Sequence, residues 1–350
     1  MNFHGGNIYD YNSDIIDFSS NINPYGVSDS LKKEIFNRIN EVSRYPDINY
    51  KKLKSNISEY LKVDVNDVIV GNGAIDIIYN SINVIYYENV YILAPTFSEY
   101  RKASEIFNKT YFEILSFDFD NGIFDLNYFS NKIERNSIVI ICNPNNPTGF
   151  AIDNISLLNF CNNMKNKNCF VILDETFVEF TNNIDKYSMV RYYSNLDNIL
   201  IIRAVTKFFG IPGIRLGYAV CSNSIIKNKL EYFSRPWDIN TFAVIASDII
   251  FKDKKYIELS YNWLETERIF LYNELSKFNI FKVYNTNSNY FLLKFYDLDS
   301  DIIQDRLLKH NILIRKNTGF TGLSKKFIRI AIKDNINNKK LINALRSEFI

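Results

Sequence analysis

Six short runs of β-branched and aliphatic residues punctuate the middle of the chain, at 68–70, 90–93, 138–142, 170–173, 199–202 and 216–220. Each is apolar on both faces, and amphipathic stretches separate them. Strands of this kind must be covered by helices on either side, so the pattern predicts a buried, mainly parallel sheet. The class is α/β. No apolar segment reaches the roughly 18 uninterrupted residues that a membrane helix needs.

The chain has 350 residues, long enough for one large core and a smaller attached unit. Residues 1–27, rich in Gly, Asn and Asp, read as an N-terminal arm. Ser28 is placed to cap a helix that reaches about Val42. Between 254 and 278 the apolar residues Ile257, Leu264, Leu271 and Phe278 recur every heptad, with Tyr261 and Leu275 on the same face, as in one long helix packed along a core. Beyond it the pattern predicts strands at 290–295, 312–315 and 327–332, a helix after Asp299 and a terminal helix from Asn337. The expected division is an arm (1–27), a large domain (45–250) and a small α+β domain (28–44 with 251–350), with a ligand cleft between the two domains.

Charge and ligand chemistry exclude several functions. The net charge of +2 comes from 41 basic and 39 acidic side chains that are interspersed, so no basic stripe favours nucleic acid or an anionic membrane. Four cysteines (Cys142, Cys161, Cys169, Cys221) form no CxxC pair, and the histidines are His4 and His310 alone, too few at useful spacing for a metal site or a disulfide framework. No basic stretch followed by an apolar run opens the chain, and reduced thiols in the cytoplasm are the expectation.

The chemistry gathers after the strands. Asn143-Pro144-Asn145-Asn146-Pro147-Thr148-Gly149 follows the run ending at Cys142, where open α/β sheets place ligand contacts, although Asn, Pro and Gly also build plain turns. The next run ends at Asp174-Glu175. The one after it leads into Arg203-Ala204-Val205-Thr206-Lys207, and then come Gly213-Ile214-Arg215-Leu216-Gly217-Tyr218. Gly71-Asn72-Gly73-Ala74 follows the first run and opens a helical pattern, so that backbone N–H groups at Gly73 and Ala74 can face a phosphate.

This ordered set resembles the aspartate-aminotransferase superfamily of pyridoxal-phosphate (PLP) enzymes, fold type I, over essentially the whole chain. The resemblance implies a PLP cofactor held as a Schiff base on Lys207, with Asp174 as the partner of its ring nitrogen. An opposite charge in contact raises a base's pKa by roughly 1 to 3 units. It implies that Asn146 bonds the cofactor's phenolic oxygen, that Gly73, Ala74, Thr206 and Arg215 hold its phosphate, and that Phe97 stacks on its ring. Tyr45 matches a tyrosine that reaches the cofactor phosphate of a neighbouring subunit, which implies a twofold dimer with shared active sites.

Within the superfamily two groups handle a phosphorylated amine, the histidinol-phosphate aminotransferases and the threonine-phosphate decarboxylases of cobalamin biosynthesis. His4-Gly5-Gly6-Asn7, the stretch Asp17-Phe18-Ser19-Ser20-Asn21-Ile22-Asn23-Pro24, Pro236-Trp237 with Asn240, and Ile312-Leu313-Ile314-Arg315 resemble the decarboxylases. So does Phe177, where aminotransferases usually carry tyrosine. The resemblance implies an arm closing over substrate, with His4, Gly6 and Asn21 in the substrate pocket together with Asn146, and Arg329 on the substrate carboxylate, a role common to both groups. The arm and Arg329 would turn the Cα–carboxylate bond perpendicular to the cofactor ring, which gives loss of CO2 from O-phospho-threonine. Ala74 departs from the acidic residue common after the glycines. Lys333 stands where the decarboxylases often show a second arginine, which leaves phosphoserine open as a substrate. A cofactor-binding scaffold without activity is a third reading, disfavoured by the presence of Asp174, Lys207 and Arg215 together.

Overall fold

The computed structural model describes residues 5–11 and 14–349. In chain order the strands are β1 (Ile16–Asp17), β2 (Val68–Gly71), β3 (Asn89–Ala94), β4 (Thr110–Leu115), the hairpin β5 (Phe117–Asp118) and β6 (Ile123–Phe124), β7 (Ser137–Cys142), β8 (Phe170–Asp174), β9 (Ile199–Ala204) and β10 (Gly217–Val220). Then follow β11 (Phe281–Val283), β12 (Tyr290–Phe295), β13 (Ile312–Leu313), β14 (Arg315–Lys316) and β15 (Phe327–Ala331).

A seven-stranded sheet has the order β2-β10-β9-β8-β7-β3-β4. All its strands run parallel except β10, which is antiparallel to both β9 and β2. Successive residues of each strand feed opposite faces: Val139 and Ile141 join one core, Ile138 and Ile140 the other. Helices Ala74–Val84 and Glu99–Ile106 cover the second face through Ile77, Ile78, Ile82, Tyr100 and Ala103. This is why the runs read as continuously apolar: both faces are buried.

The parallel arrangement brings the ends of β2, β3, β7, β8 and β9 to one edge. Reversal of β10 starts it at that same edge, with Gly217 in register with Gly71 and Ala204. Arg215 therefore reaches the edge from the opposite direction, along the chain entering β10.

Strands β11, β12, β15 and β14, in that order, form an antiparallel sheet backed by helices Lys254–Leu275, Ser300–Leu308 and Asn335–Phe349. The long helix starts at its cap Asp253, whose carboxylate accepts the Tyr256 N–H at 3.1 Å. It stops at Leu275 rather than at Phe278, and Phe278 turns off the helix axis to stack on Phe281 at 5.4 Å.

Two other expectations need correction. Ser28 caps its helix, but the helix ends at Asn37 and a 3-10 segment (Ile39–Ser43) follows, with Arg38 drawn to Glu41 (2.9 Å) and Asp248 (2.8 Å). The run 312–315 is not one strand. Ile314 gives its N–H to Gln304 Oε1 at 3.2 Å, so β13 pairs in parallel with β1 of the arm while β14 pairs with β15. Among the described residues no helix is long and apolar enough to cross a membrane.

Candidate active site

A cavity of about 440 Å³ lies where the strand ends of the large sheet meet the arm and the small sheet. Asp174 and Lys207 both line it, as do Phe97, Asn146, Thr206 and Arg215. From the arm and the small sheet come Asn21, Arg315 and Arg329.

Asp174 ends β8 and is buried. Its Oδ1 accepts the Thr176 N–H at 2.9 Å and its Oδ2 the Tyr100 hydroxyl at 2.6 Å. Burial raises its pKa, and the hydrogen bonds from Thr176 and Tyr100 oppose the rise. The strand end is anchored from behind by a buried ion pair: Arg203 Nη2 lies 3.0 Å from Glu175 Oε2 and donates to Ser188 Oγ at 2.6 Å, while Glu175 Oε1 accepts the Met189 N–H at 2.7 Å. Glu179, also beside Arg203, is pushed up to about 7 by burial.

Lys207 is the third residue beyond β9 and is partly buried. Burial, with Arg329, Arg215 and Lys333 nearby, lowers its pKa to about 8. A neutral, nucleophilic amine is thus within easy reach near neutral pH, as a lysine that must bond an aldehyde carbon requires.

At the β2 end, Gly73 has φ +84°, and a Cβ there would lie 2.4 Å from Arg215 Nη2. The guanidinium therefore packs directly onto the glycine loop. Ala74 and Ile75, in the first turn of helix Ala74–Val84, line the cavity beside it. First-turn N–H groups have no partner within their helix and favour anions. Phe97 stands edge-on to Tyr100 (centroids 5.7 Å apart, planes at 85°) and supplies an aromatic wall.

An anion cradle, an aromatic wall, a buried carboxylate and an amine of lowered basicity suit a flat, phosphate-bearing aldehyde with a basic ring nitrogen. PLP has these features.

The other half of the cavity is cationic. Arg315 and Arg329 are register partners on β14 and β15. Arg329 donates to Asn146 Oδ1 and to the Ser19 carbonyl, both at 2.5 Å, and Lys333 Nζ donates to the Ser20 carbonyl at 3.2 Å. Burial, with Arg315 beside it, pushes Arg329 down to about 9, and burial lowers Arg315 to about 10. Among the described residues, the buried atoms Arg329 Nε and Asn21 Oδ1 have no hydrogen-bond partner. Arg329 therefore keeps a buried donor in reserve for an anionic ligand.

The arm sits at the mouth of this half. Gly5 lines the cavity, and a Cβ on it would lie 2.3 Å from the Ser19 carbonyl oxygen. Gly6, at φ +85°, donates its N–H to Ser19 Oγ at 2.7 Å. Asp17 organises the turn beneath by accepting from the Ser19 N–H (2.8 Å) and the Ser19 hydroxyl (2.5 Å). His4 lies outside the described residues.

Tyr45 does not join the cavity of its own chain; it is 76 % exposed and stacks on Trp237 at 4.6 Å. Within the loop 143–149 the asparagines divide their work. Asn143 and Asn145 hold the turn, through Ile152 and Thr148, and Asn146 faces the cavity. Phe177 lines the cavity and meets Tyr290 edge-on at 5.2 Å. Sequence reasoning missed Tyr100 as a partner of Asp174; its spacing of three from Phe97 at a helix start was the available signal. It named Arg315 within a motif without placing it in the site.

Known proteins share this framework. The family model for aminotransferases of class I and II matches residues 13–345. A provisionally named threonine-phosphate decarboxylase of Caldanaerobacter subterraneus is 39% identical over 345 residues, 98% of this chain and 93% of that protein. The threonine-phosphate decarboxylase of Salmonella typhimurium is 29% identical across 98% of this chain and 96% of its own length. The crystal structure of the histidinol-phosphate aminotransferase from Clostridium acetobutylicum superposes with a TM-score of 0.89 at 36% identity, covering 94% of this chain and 98% of that one. With a family match that spans almost the whole chain, this protein belongs to the class I and II aminotransferase family of PLP-dependent enzymes, and its architecture is fold type I.

Proposed function

We propose that the protein decarboxylates L-threonine O-3-phosphate to 1-aminopropan-2-yl phosphate, a step of cobalamin biosynthesis. The observation that carries this reading is the second cationic cluster. Arg215 and the Gly73 loop serve the cofactor phosphate, yet Arg315 and Arg329 line the opposite part of the cavity, with Lys333 next to it on the Ser20 carbonyl, where a substrate with both a carboxylate and a phosphate would need cations. The relatives named threonine-phosphate decarboxylase, matched along nearly their full length, support it.

When bound, PLP supplies the sink for the electron pair left on the substrate Cα as a bond there breaks. Asp174, which lines the cavity, would keep a proton on the ring nitrogen through its negative charge. Arg329 takes the substrate carboxylate, exchanging its contact with the Ser19 carbonyl for a charged acceptor. A fork-shaped guanidinium fixes the plane of the carboxylate and so the direction of the Cα–carboxylate bond. Lys207 would hold the cofactor's aldehyde carbon, and its amine, once free, would return a proton at Cα after CO2 leaves, either directly or through water. The arm at Gly5 and Gly6 closes the mouth over the substrate, with Asn21 in the same pocket.

The competing reading is amino transfer from histidinol phosphate, favoured by the 36% identity to an aminotransferase of solved structure. The PLP-loaded protein, incubated separately with O-phospho-L-threonine, O-phospho-L-serine, and histidinol phosphate plus 2-oxoglutarate, is expected to release CO2 with the first substrate. Faster release from phosphoserine would change the substrate assigned. Glutamate formation in the third mixture, without CO2 in the others, would establish the aminotransferase instead.

The same reading includes a twofold dimer in which Tyr45 reaches the cofactor phosphate of the other subunit. Phe36, Tyr45 and Tyr232 are at least three-quarters exposed, and Val42 and Trp237, the latter stacked on Tyr45, are also exposed, apolar side chains that a partner subunit would cover. Sedimentation is expected to give twice the 41.1 kDa chain mass. A species that stays monomeric at micromolar concentration would exclude the shared site.

A further inference from the structure

The carboxylate of Asp174 has about four lone-pair positions, and two are occupied before any ligand arrives, one by the Thr176 N–H and one by the Tyr100 hydroxyl. Tyr100 is fully buried in helix Glu99–Ile106, on the sheet face opposite the long helix. Its hydroxyl cannot serve as an anion there, since burial and then the Asp174 charge drive its pKa far up. It stays protonated and donates. The same ring braces Phe97 edge-on, so one helical turn positions both the aromatic wall and the carboxylate.

We propose that Tyr100 is a positioning residue for the cofactor: its hydroxyl fixes the rotation of the Asp174 carboxylate and holds it ionised, leaving the remaining lone pairs for the ring nitrogen. This rests on the reading of Asp174 as the ring-nitrogen partner. A carboxylate buried in an apolar strand end would otherwise drift toward its neutral form and lose its hold on the nitrogen's proton. The titratable groups facing Asp174 from neighbouring elements are Tyr100, Cys142 on β7 and Tyr290 on β12, and burial raises the pKa of each. None of them ionises near neutrality; Lys207, which lines the same cavity and is lowered to about 8, is common to every variant compared, so differences between the variants report the hydrogen bonds that Asp174 accepts.

The test measures the affinity of the cofactor-stripped full chain for PLP from pH 5 to 9, in the wild type and in Tyr100→Phe, Asp174→Asn and the double variant. Phenylalanine preserves the ring packing, which thermal melting checks. Loss of the donor is expected to move the acid limb of the binding profile upward by about one unit, which weakens binding about tenfold on that limb, with the difference shrinking as pH rises. In the Asp174→Asn background the same change should do nothing further, because no charge remains to be held.

A second chain, with 3-fluorotyrosine at position 100, keeps the packing and makes the phenol a stronger donor, so its acid limb should move down. The inference is overturned if Tyr100→Phe leaves the profile in place, or if it costs as much with asparagine at 174 as with aspartate, the mark of a merely structural role. If Asp174→Asn itself binds PLP like the wild type, the reading of Asp174 fails first and the inference fails with it.

Discussion

Lys207→Ala is expected to lower turnover of O-phospho-L-threonine by about 10⁴-fold or more, because one change removes both the amine that bonds the cofactor and the group that returns a proton to Cα. The geometry makes the loss specific. The Lys207 side chain lines the cavity together with Asp174, and burial with three neighbouring cations brings its pKa down to about 8. No other lysine lines that cavity among the described residues. The physical check is covalent capture: borohydride treatment of the PLP-loaded wild type should add the mass of the reduced cofactor to the peptide containing Lys207, and the variant should add none. Lys207→Ala retaining a tenth of wild-type turnover would remove Lys207 from the chemistry, whatever the cofactor does.

Arg329→Gln should have the next largest effect, and a different one. Leaving a buried anion without its cation costs about 2 to 5 kcal/mol, which at about 1.4 kcal/mol per decade is roughly 30- to 5000-fold in kcat/KM. KM should rise most, since the substrate carboxylate loses its partner. CO2 release should suffer as well, because an unclamped carboxylate no longer directs the Cα bond. Glutamine keeps one donor for Asn146 or for the Ser19 carbonyl, the contacts Arg329 makes in the absence of substrate, so PLP affinity should stay close to the wild type. Steady-state kinetics beside a PLP titration separates the two. Equal losses in cofactor and substrate binding would make Arg329 a structural cation instead.

Much of this site was legible beforehand, for a reason specific to parallel sheets. When strands run the same way, the residues just beyond their carboxyl ends meet at one edge however far apart they lie in the chain. Asn146, Asp174, Thr206 and Lys207 could thus be assembled from their positions relative to three apolar runs. Gly73 was legible because Gly71-Asn72-Gly73-Ala74 follows an apolar run and opens a helical pattern; its positive φ and the close approach of Arg215 give the physical reason for glycine there. The β-branched runs determined the class, and the heptad spacing of Ile257, Leu264 and Leu271 determined the long helix, because both are periodicities of local backbone geometry.

The contacts that tune the site were left to the tertiary structure. Tyr100 meets Asp174 across 74 residues, and Arg329 meets the Ser19 carbonyl across 310. Ile314 breaks one apolar run into two strands by giving its N–H to Gln304, which frees β13 to bind the arm. Each of these depends on how a helix or strand is rotated against a distant neighbour. Rotation and register are settled by packing of both partners at once, so no local pattern encodes them. The amino-acid order determined which chemical groups would gather at the sheet edge; only the folded chain decided which of them touch, and therefore which charges are held and which stand ready for a substrate.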